Sequence, residues 1–207
     1  MPRVLRIALP AVLVAALAPA ALAHEGVVHD TPDEAATHEA AAPPQPFPVE
    51  ITPRFSLVDH TGRAVTEADF AGRPMVIFFG YASCESICSV ALPRIGEALE
   101  LLGDEAARIA PVMITVDPKR DTPTALASTL PKHHPRLIGL SGSEAALAEA
   151  RAAFQVEVTQ VAATPEGAPI YAHGSFIYLV GPDGMVKSVL PPILSPERLA
   201  ALMRKHF

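Results

Sequence analysis

Apolar positions along this chain fall into two periodicities. Pro74-Met75-Val76-Ile77-Phe78-Phe79-Gly80 and the run at 109–116 are continuous apolar stretches, the mark of strands buried on both faces. Shorter apolar runs at 137–140, 175–180 and 185–190 predict further strands. Between them the spacing changes to three and four. Ile87, Val90, Ala91, Ile95, Leu99 and Leu102 predict a helix over 86–102, with Pro93 marking a kink or a shifted first turn. Asp121-Thr122-Pro123 opens a second helix, with Asp or Thr as cap and Pro in the first turn. Ser143 caps a third running to Phe154, and Ser195-Pro196-Glu197-Arg198 starts a C-terminal one. Apolar residues at 55–58 and 64–65 flank a turn at Thr61-Gly62, which reads as a β-hairpin, and Gly181-Pro182-Asp183-Gly184 is a second tight turn.

Strands alternating with helices imply an α/β domain with a mixed central sheet and helices on both faces. A thioredoxin-like sandwich with an N-terminal β-hairpin fits this order, with its first long helix beginning near 86. No internal repeat interrupts it. The pattern fails before residue 51. Residues 24–50 are Ala, Pro, Glu and His with hardly any large apolar side chain, so they read as a flexible leader that buries no core. Residues 1–23 read as a secretory signal: Arg3 and Arg6, an apolar run over 7–20, and Ala21-Leu22-Ala23 as cleavage site. An uncleaved membrane anchor is the alternative. The expected organisation is therefore signal 1–23, leader 24–50 and folded domain 51–207, in a periplasmic protein.

Charge narrows the partners. Lys and Arg number 16 against 22 Asp and Glu, or 14 against 22 and a net of −8 once Arg3 and Arg6 are set aside. An acidic chain without a basic cluster lacks the cationic contacts that nucleic-acid binding requires.

Cys84 and Cys88 are the only cysteines. A bridge over three residues closes too small a loop to stabilise the fold much, so chemistry explains the pair better than a structural disulfide. Placed at a strand-to-helix junction, both thiols feel the positive end of the helix, which favours thiolate. Residues four apart share one side of a helix, so both sulfurs can point one way. His173, in Tyr171-Ala172-His173-Gly174-Ser175, stands in the expected loop before another apolar strand, where a thioredoxin-like sheet brings it next to the cysteines. Two thiolates and an imidazole suit Cu(I), or Cu(II) with an added ligand, whereas structural zinc wants four protein ligands. Thiol–disulfide exchange is the enzymatic alternative, with Cys84 and Cys88 as the redox-active pair and Cys84 as nucleophile. A peroxidase would lack a resolving cysteine elsewhere.

Three stretches together resemble the SCO/SenC family of copper-binding cytochrome c oxidase assembly proteins. They are Phe79-Gly80-Tyr81-Ala82-Ser83-Cys84-Glu85-Ser86-Ile87-Cys88, Thr115-Val116-Asp117-Pro118-Lys119-Arg120-Asp121-Thr122-Pro123, and His173-Gly174-Ser175-Phe176-Ile177-Tyr178-Leu179 followed by Pro182-Asp183-Gly184. The resemblance implies copper on Cys84, Cys88 and His173. It also implies delivery of copper, or of reducing equivalents, to the CuA site of oxidase subunit II or to another periplasmic acceptor, with other copper chaperones as further partners. The sequence departs from the family at Glu85 and Ser89, where Pro is usual, and at Ala172, where Asp is usual. Asp117 and Asp121 are candidates for orienting the site, or else a turn and a helix cap. His24, His29 and His38 read as part of a solvated, processed tail, or else could gather copper weakly in the leader, and His133-His134 precede Pro135 in an expected loop.

Overall fold

The two continuous apolar runs lie side by side. The computed structural model of the chain describes residues 51–207 and two short strands, β1 (Leu22–His24) and β2 (Val27–His29). The strands β1 and β2 pair antiparallel with Leu22 opposite His29. The rest of the expected signal and leader lies outside the described residues. No described helix is long and apolar enough to cross a membrane.

Glu50–Phe207 forms one compact unit. Its hairpin is β3 (Ser56–Asp59) and β4 (Ala64–Thr66), turned where Gly62 takes a φ of 89° and Asp59 Oδ1 accepts from the Thr61 amide at 2.9 Å. Next come β5 (Met75–Gly80), helix α1 (Cys88–Leu102), β6 (Ala110–Thr115), helix α2 (Pro123–Thr129) and β7 (Ile138–Ser141). Helix α3 (Glu144–Phe154) leads to β8 (Val158–Ala163) and β9 (Pro169–His173). The chain ends with β10 (Ile177–Val180), β11 (Val186–Leu190) and helix α4 (Pro196–His206). Seven strands form one mixed sheet in the order β11-β10-β5-β6-β7-β3-β4, with β5, β6 and β7 parallel and the rest antiparallel.

Every residue of β5 and β6 is buried, as two runs apolar but for Thr115 required. Alternation along β5 sends Phe79 to one face, where it meets Phe154 of α3 at 5.3 Å between ring centres. Phe78 and Gly80 point to the other face, towards Cys88 at the start of α1. Helices therefore cover both faces, and α4 packs against α1. The described domain is the thioredoxin-like arrangement expected, with strand and helix ends shifted by one or two residues. Thr122 and not Asp121 caps α2, and Ser143 and Ser195 cap α3 and α4 as expected. Pro93 lies inside α1 without ending it, since its ring removes only the bond to the Ser89 carbonyl.

The sequence pattern missed a β-hairpin. The strands β8 and β9 form a two-stranded antiparallel sheet of their own, separate from the main one. Most of β8 is exposed and β9 alternates between half-buried and exposed, so no buried apolar face marked either strand. His173 is thus the last residue of a strand and not part of a loop.

The rings of Phe79, Phe154 and Tyr178 meet edge to face, and the Tyr178 hydroxyl donates to the Phe154 carbonyl at 3.1 Å. Phe154 is fully buried. Phe154→Ala should lower unfolding free energy by about 3–5 kcal/mol, read as a fall in the denaturant midpoint at unchanged slope. A loss below about 1 kcal/mol would mean that this cluster is not a continuous core.

Candidate metal centre

Gly80 ends β5 at the site itself. A Cβ there would come within 2.9 Å of Cys88 Sγ and 2.8 Å of the Phe78 ring, so only glycine lets the sulfur sit against the strand. The chain then turns, with the Cys84 amide donating to the Tyr81 carbonyl at 3.1 Å. Helix α1 begins at Cys88 and not near 86. Ser86 O accepts the Ser89 hydroxyl at 2.6 Å, while the Val90 amide goes to Ile87 O at 3.2 Å, so the bond that would extend the helix backwards is replaced. The cysteines meet across this turn, with Cys84 outside the helix and Cys88 in its first turn, which corrects the expectation of two thiols on one helical face.

His173 reaches them by strand register. The strand β10 pairs antiparallel with β5, Ile177 opposite Phe78, so residues preceding β10 run past the end of β5 towards the cysteine turn. His173 Nε2 lies 3.9 Å from Cys88 Sγ, and the donor atoms of Cys84, Cys88 and His173 all lie within 4.8 Å of one another. They are the one such group of three potential ligands among the described residues. The Ser175 hydroxyl donates to the His173 carbonyl at 3.0 Å and stands 3.2 Å from Nδ1. With its proton committed to the carbonyl, that hydroxyl accepts from Nδ1–H, which leaves Nε2 bare and facing the sulfurs. The tautomer is assigned from this network. Phe78 and Tyr81 meet the imidazole edge to face at 6.3 and 6.1 Å.

Both thiols are free and buried. The hydrogen bond from Cys88, with a further one from Ser86, lowers the Cys84 pKa to about 3 against the cost of burial. Donating to that thiolate, and burial, push the Cys88 thiol up. The pair therefore holds one negative charge and one proton, the proton on Cys88.

Asp121 takes the amide of Ala82 at 2.9 Å and the Thr115 hydroxyl at 2.6 Å on one carboxylate oxygen, so it anchors the cysteine turn to β6. Burial raises its pKa. Asp117 is buried and paired with Arg120. Neither aspartate belongs to the three-donor group. Sequence reasoning passed over Gly80, Tyr81, Arg120 and Ser175, although all four stand inside the stretches quoted above. Ala172 is exposed, and alternation along β9 points it away from the imidazole, so an acid at that position would face solvent. His134 bonds Glu100 at 2.9 Å and ties α1 to the turn beyond α2, apart from the site, as the expectation for His133-His134 allowed. His38 lies outside the described residues, and His24 and His29 enter only as backbone of β1 and β2. Beside Cys84 opens a cleft of about 670 Å³ lined by Ser83, Glu85, Ser86, Arg120, Glu166 and Ile170, among others.

The chain is similar to known proteins over most of its length. The SCO1/SenC family pattern matches residues 43–207. Over 154 residues the chain is 34% identical to the mitochondrial SCO2 homolog of Bos taurus, covering 73% of this chain and 58% of that protein. It is 34% identical over 160 residues to an SCO2-like protein of Rickettsia conorii, covering 76% of this chain and 78% of that one. Among solved structures, Bradyrhizobium japonicum ScoI with copper bound superposes with a TM-score of 0.70 at 35% identity, covering 76% of this chain and 99% of that one. Copper-bound yeast Sco1 gives 0.70 at 28% identity, covering 76% and 88%.

The thiol pair makes stability depend on pH. An unfolded thiol titrates near about 8.5. Between about pH 3, where Cys84 titrates when folded, and that value the folded pair binds one proton where the unfolded pair binds two, so stability rises with pH. Above it the unfolded pair loses both protons while Cys88 keeps its own, and the slope reverses. From about pH 5 to 8 the reduced protein should gain up to about 1.4 kcal/mol per pH unit relative to Cys84→Ser, read from denaturant midpoints. Parallel pH profiles for the two proteins would contradict the thiolate assignment.

Proposed function

The chain belongs to the SCO1/SenC family, and from that premise we propose that it is an exported, periplasmic copper chaperone holding the ion on Cys84, Cys88 and His173. The observation that carries the reading is the convergence of three soft donors within 4.8 Å. Donors around a three-coordinate ion with bonds of about 2–2.3 Å stand about 4 Å apart, so this set closes on a metal with little movement. Two sulfurs and one imidazole match Cu(I) better than the hard oxygen sites of other biological cations. Structural zinc needs a fourth ligand, and none joins the group among the described residues.

The protein's own residues do most of the work before the cargo arrives. Cys84 is already a thiolate, so copper displaces only the proton on Cys88. Ser175 presents the bare Nε2 of His173. Burial of both sulfurs keeps water and bulk oxidants from them. Release is ligand exchange: donors of the acceptor replace these three in turn. The acceptor is the CuA site of cytochrome c oxidase subunit II. The histidines of the leader would gather copper weakly ahead of the site.

One observation favours a second reading, thiol–disulfide exchange on an acceptor. A thiolate at Cys84 beside a protonated Cys88 is the state that attacks a disulfide. Cys84 would bond one acceptor sulfur and release the other as thiolate. Cys88, giving up its proton, would then attack Cys84 and free the second acceptor sulfur. Two electrons pass to the acceptor and an 84–88 disulfide is left. That disulfide has no thiolate to offer a metal, so copper loading and reduction exclude each other in one molecule.

His173→Ala separates the readings. It should abolish tight Cu(I) binding in anaerobic competition with a chelator while leaving disulfide exchange at Cys84 nearly unchanged. Stoichiometric Cu(I) bound as tightly as by the parent would defeat the three-ligand chaperone.

A further inference from the structure

The histidine and the cysteines sit on elements that share no strand ladder. The cysteine turn follows β5 in the main sheet, whereas β9, ending at His173, pairs only with β8. Register through β10 sets the direction of approach, but Gly174, Ser175 and Phe176 separate His173 from that strand. Something must hold β9 down.

Arg120 spans the gap. It lies in the turn between β6 and α2, and its guanidinium makes three contacts at once. Its Nε donates to Asp117 Oδ2. One terminal nitrogen donates to the Pro169 carbonyl at the start of β9, at 2.7 Å. The guanidinium carbon lies 5.4 Å from the ring centre of Tyr81, within cation–π reach. Tyr81 in turn meets Tyr171 at 5.7 Å and His173 at 6.1 Å, so Arg120 holds the start of β9 directly and its end through the Tyr81 ring. Asp117 fixes the cation. It is 1% exposed, its amide donates to the Thr115 hydroxyl oxygen at 2.9 Å, and its other carboxylate oxygen has no partner. A buried carboxylate so poorly paired is stable only with the guanidinium in place.

We propose that Arg120 is a positioning residue for the histidine ligand, clamping β9 onto the cysteine turn so that Nε2 of His173 stays within reach of both sulfurs. This rests on the copper reading. Only a planar fork can donate to a carboxylate and a carbonyl while lying on a ring, so lysine does not substitute. Arg120 touches neither the sulfurs nor the imidazole. Its effect on copper passes through the placement of His173.

The test uses the full chain, reduced, with Cu(I) affinity from anaerobic chelator competition and nitrogen hyperfine coupling from EPR of the Cu(II) form. Arg120→Ala should weaken copper about 10–100-fold and diminish the imidazole coupling, with the alkylation rate of Cys84 unchanged. Because that variant strands a buried carboxylate, Asp117→Asn combined with Arg120→Ala removes the clamp without leaving the charge. Arg120→Lys keeps the ion pair, and hence the fold, but should show the same loss of coupling. Parental affinity and parental coupling in the double variant or in Arg120→Lys would overturn the clamp. If His173→Ala also binds as the parent does, the failure belongs to the copper reading and not to Arg120.

Discussion

One antiparallel register governs the site. With Ile177 opposite Phe78, every residue upstream of β10 is carried towards the end of β5, where the chain turns into the two cysteines. A slip of one residue would reverse which face Tyr178 and Ile177 occupy. It would also break the packing of Tyr178 on Phe79 and Phe154. The register is therefore fixed by core burial on the face away from the cysteines. Ligand convergence over a separation of 85 residues follows from core packing and needs no metal to impose it.

Burial then sets the chemistry. Two thiols out of water and in contact cannot both ionise, so the pair settles with one charge. Which sulfur carries it depends on local donors: Cys84 has Ser86 at 3.4 Å and the hydrogen bond of Cys88. This asymmetry arises because Cys84 lies in the turn before the helix and Cys88 within it. The same pair thus presents a soft anionic ligand and a nucleophile, and only the presence of copper or of an acceptor disulfide separates the two roles.

Much of this was legible in the sequence because it depends on burial. Continuous apolar runs gave β5 and β6, three-to-four spacing gave α1, and capping residues gave the starts of α2, α3 and α4. The convergence of Cys84, Cys88 and His173 followed from fold order. The hairpin of β8 and β9 was not legible, since strands exposed on both sides carry no periodic apolar signal. The true start of α1 was hidden too, because it turns on one serine hydroxyl competing for a backbone carbonyl. Arg120 is a surface-type residue whose function depends on three partners distant in sequence, and no local pattern reports that.

The departures at Glu85 and Ser89 fit the same logic. Both side chains are exposed, and Ser89 caps the two carbonyls, Glu85 O and Ser86 O, that a proline-rich turn would leave to rigid geometry. The turn is held here by hydrogen bonds and by Asp121 beneath it. His173 is only half-buried while the sulfurs are buried, so an incoming ligand meets the imidazole before either thiolate. On the copper reading the histidine is then the first donor to yield. How firmly β9 is held sets how readily it yields, so holding copper and releasing it are governed by the same hairpin.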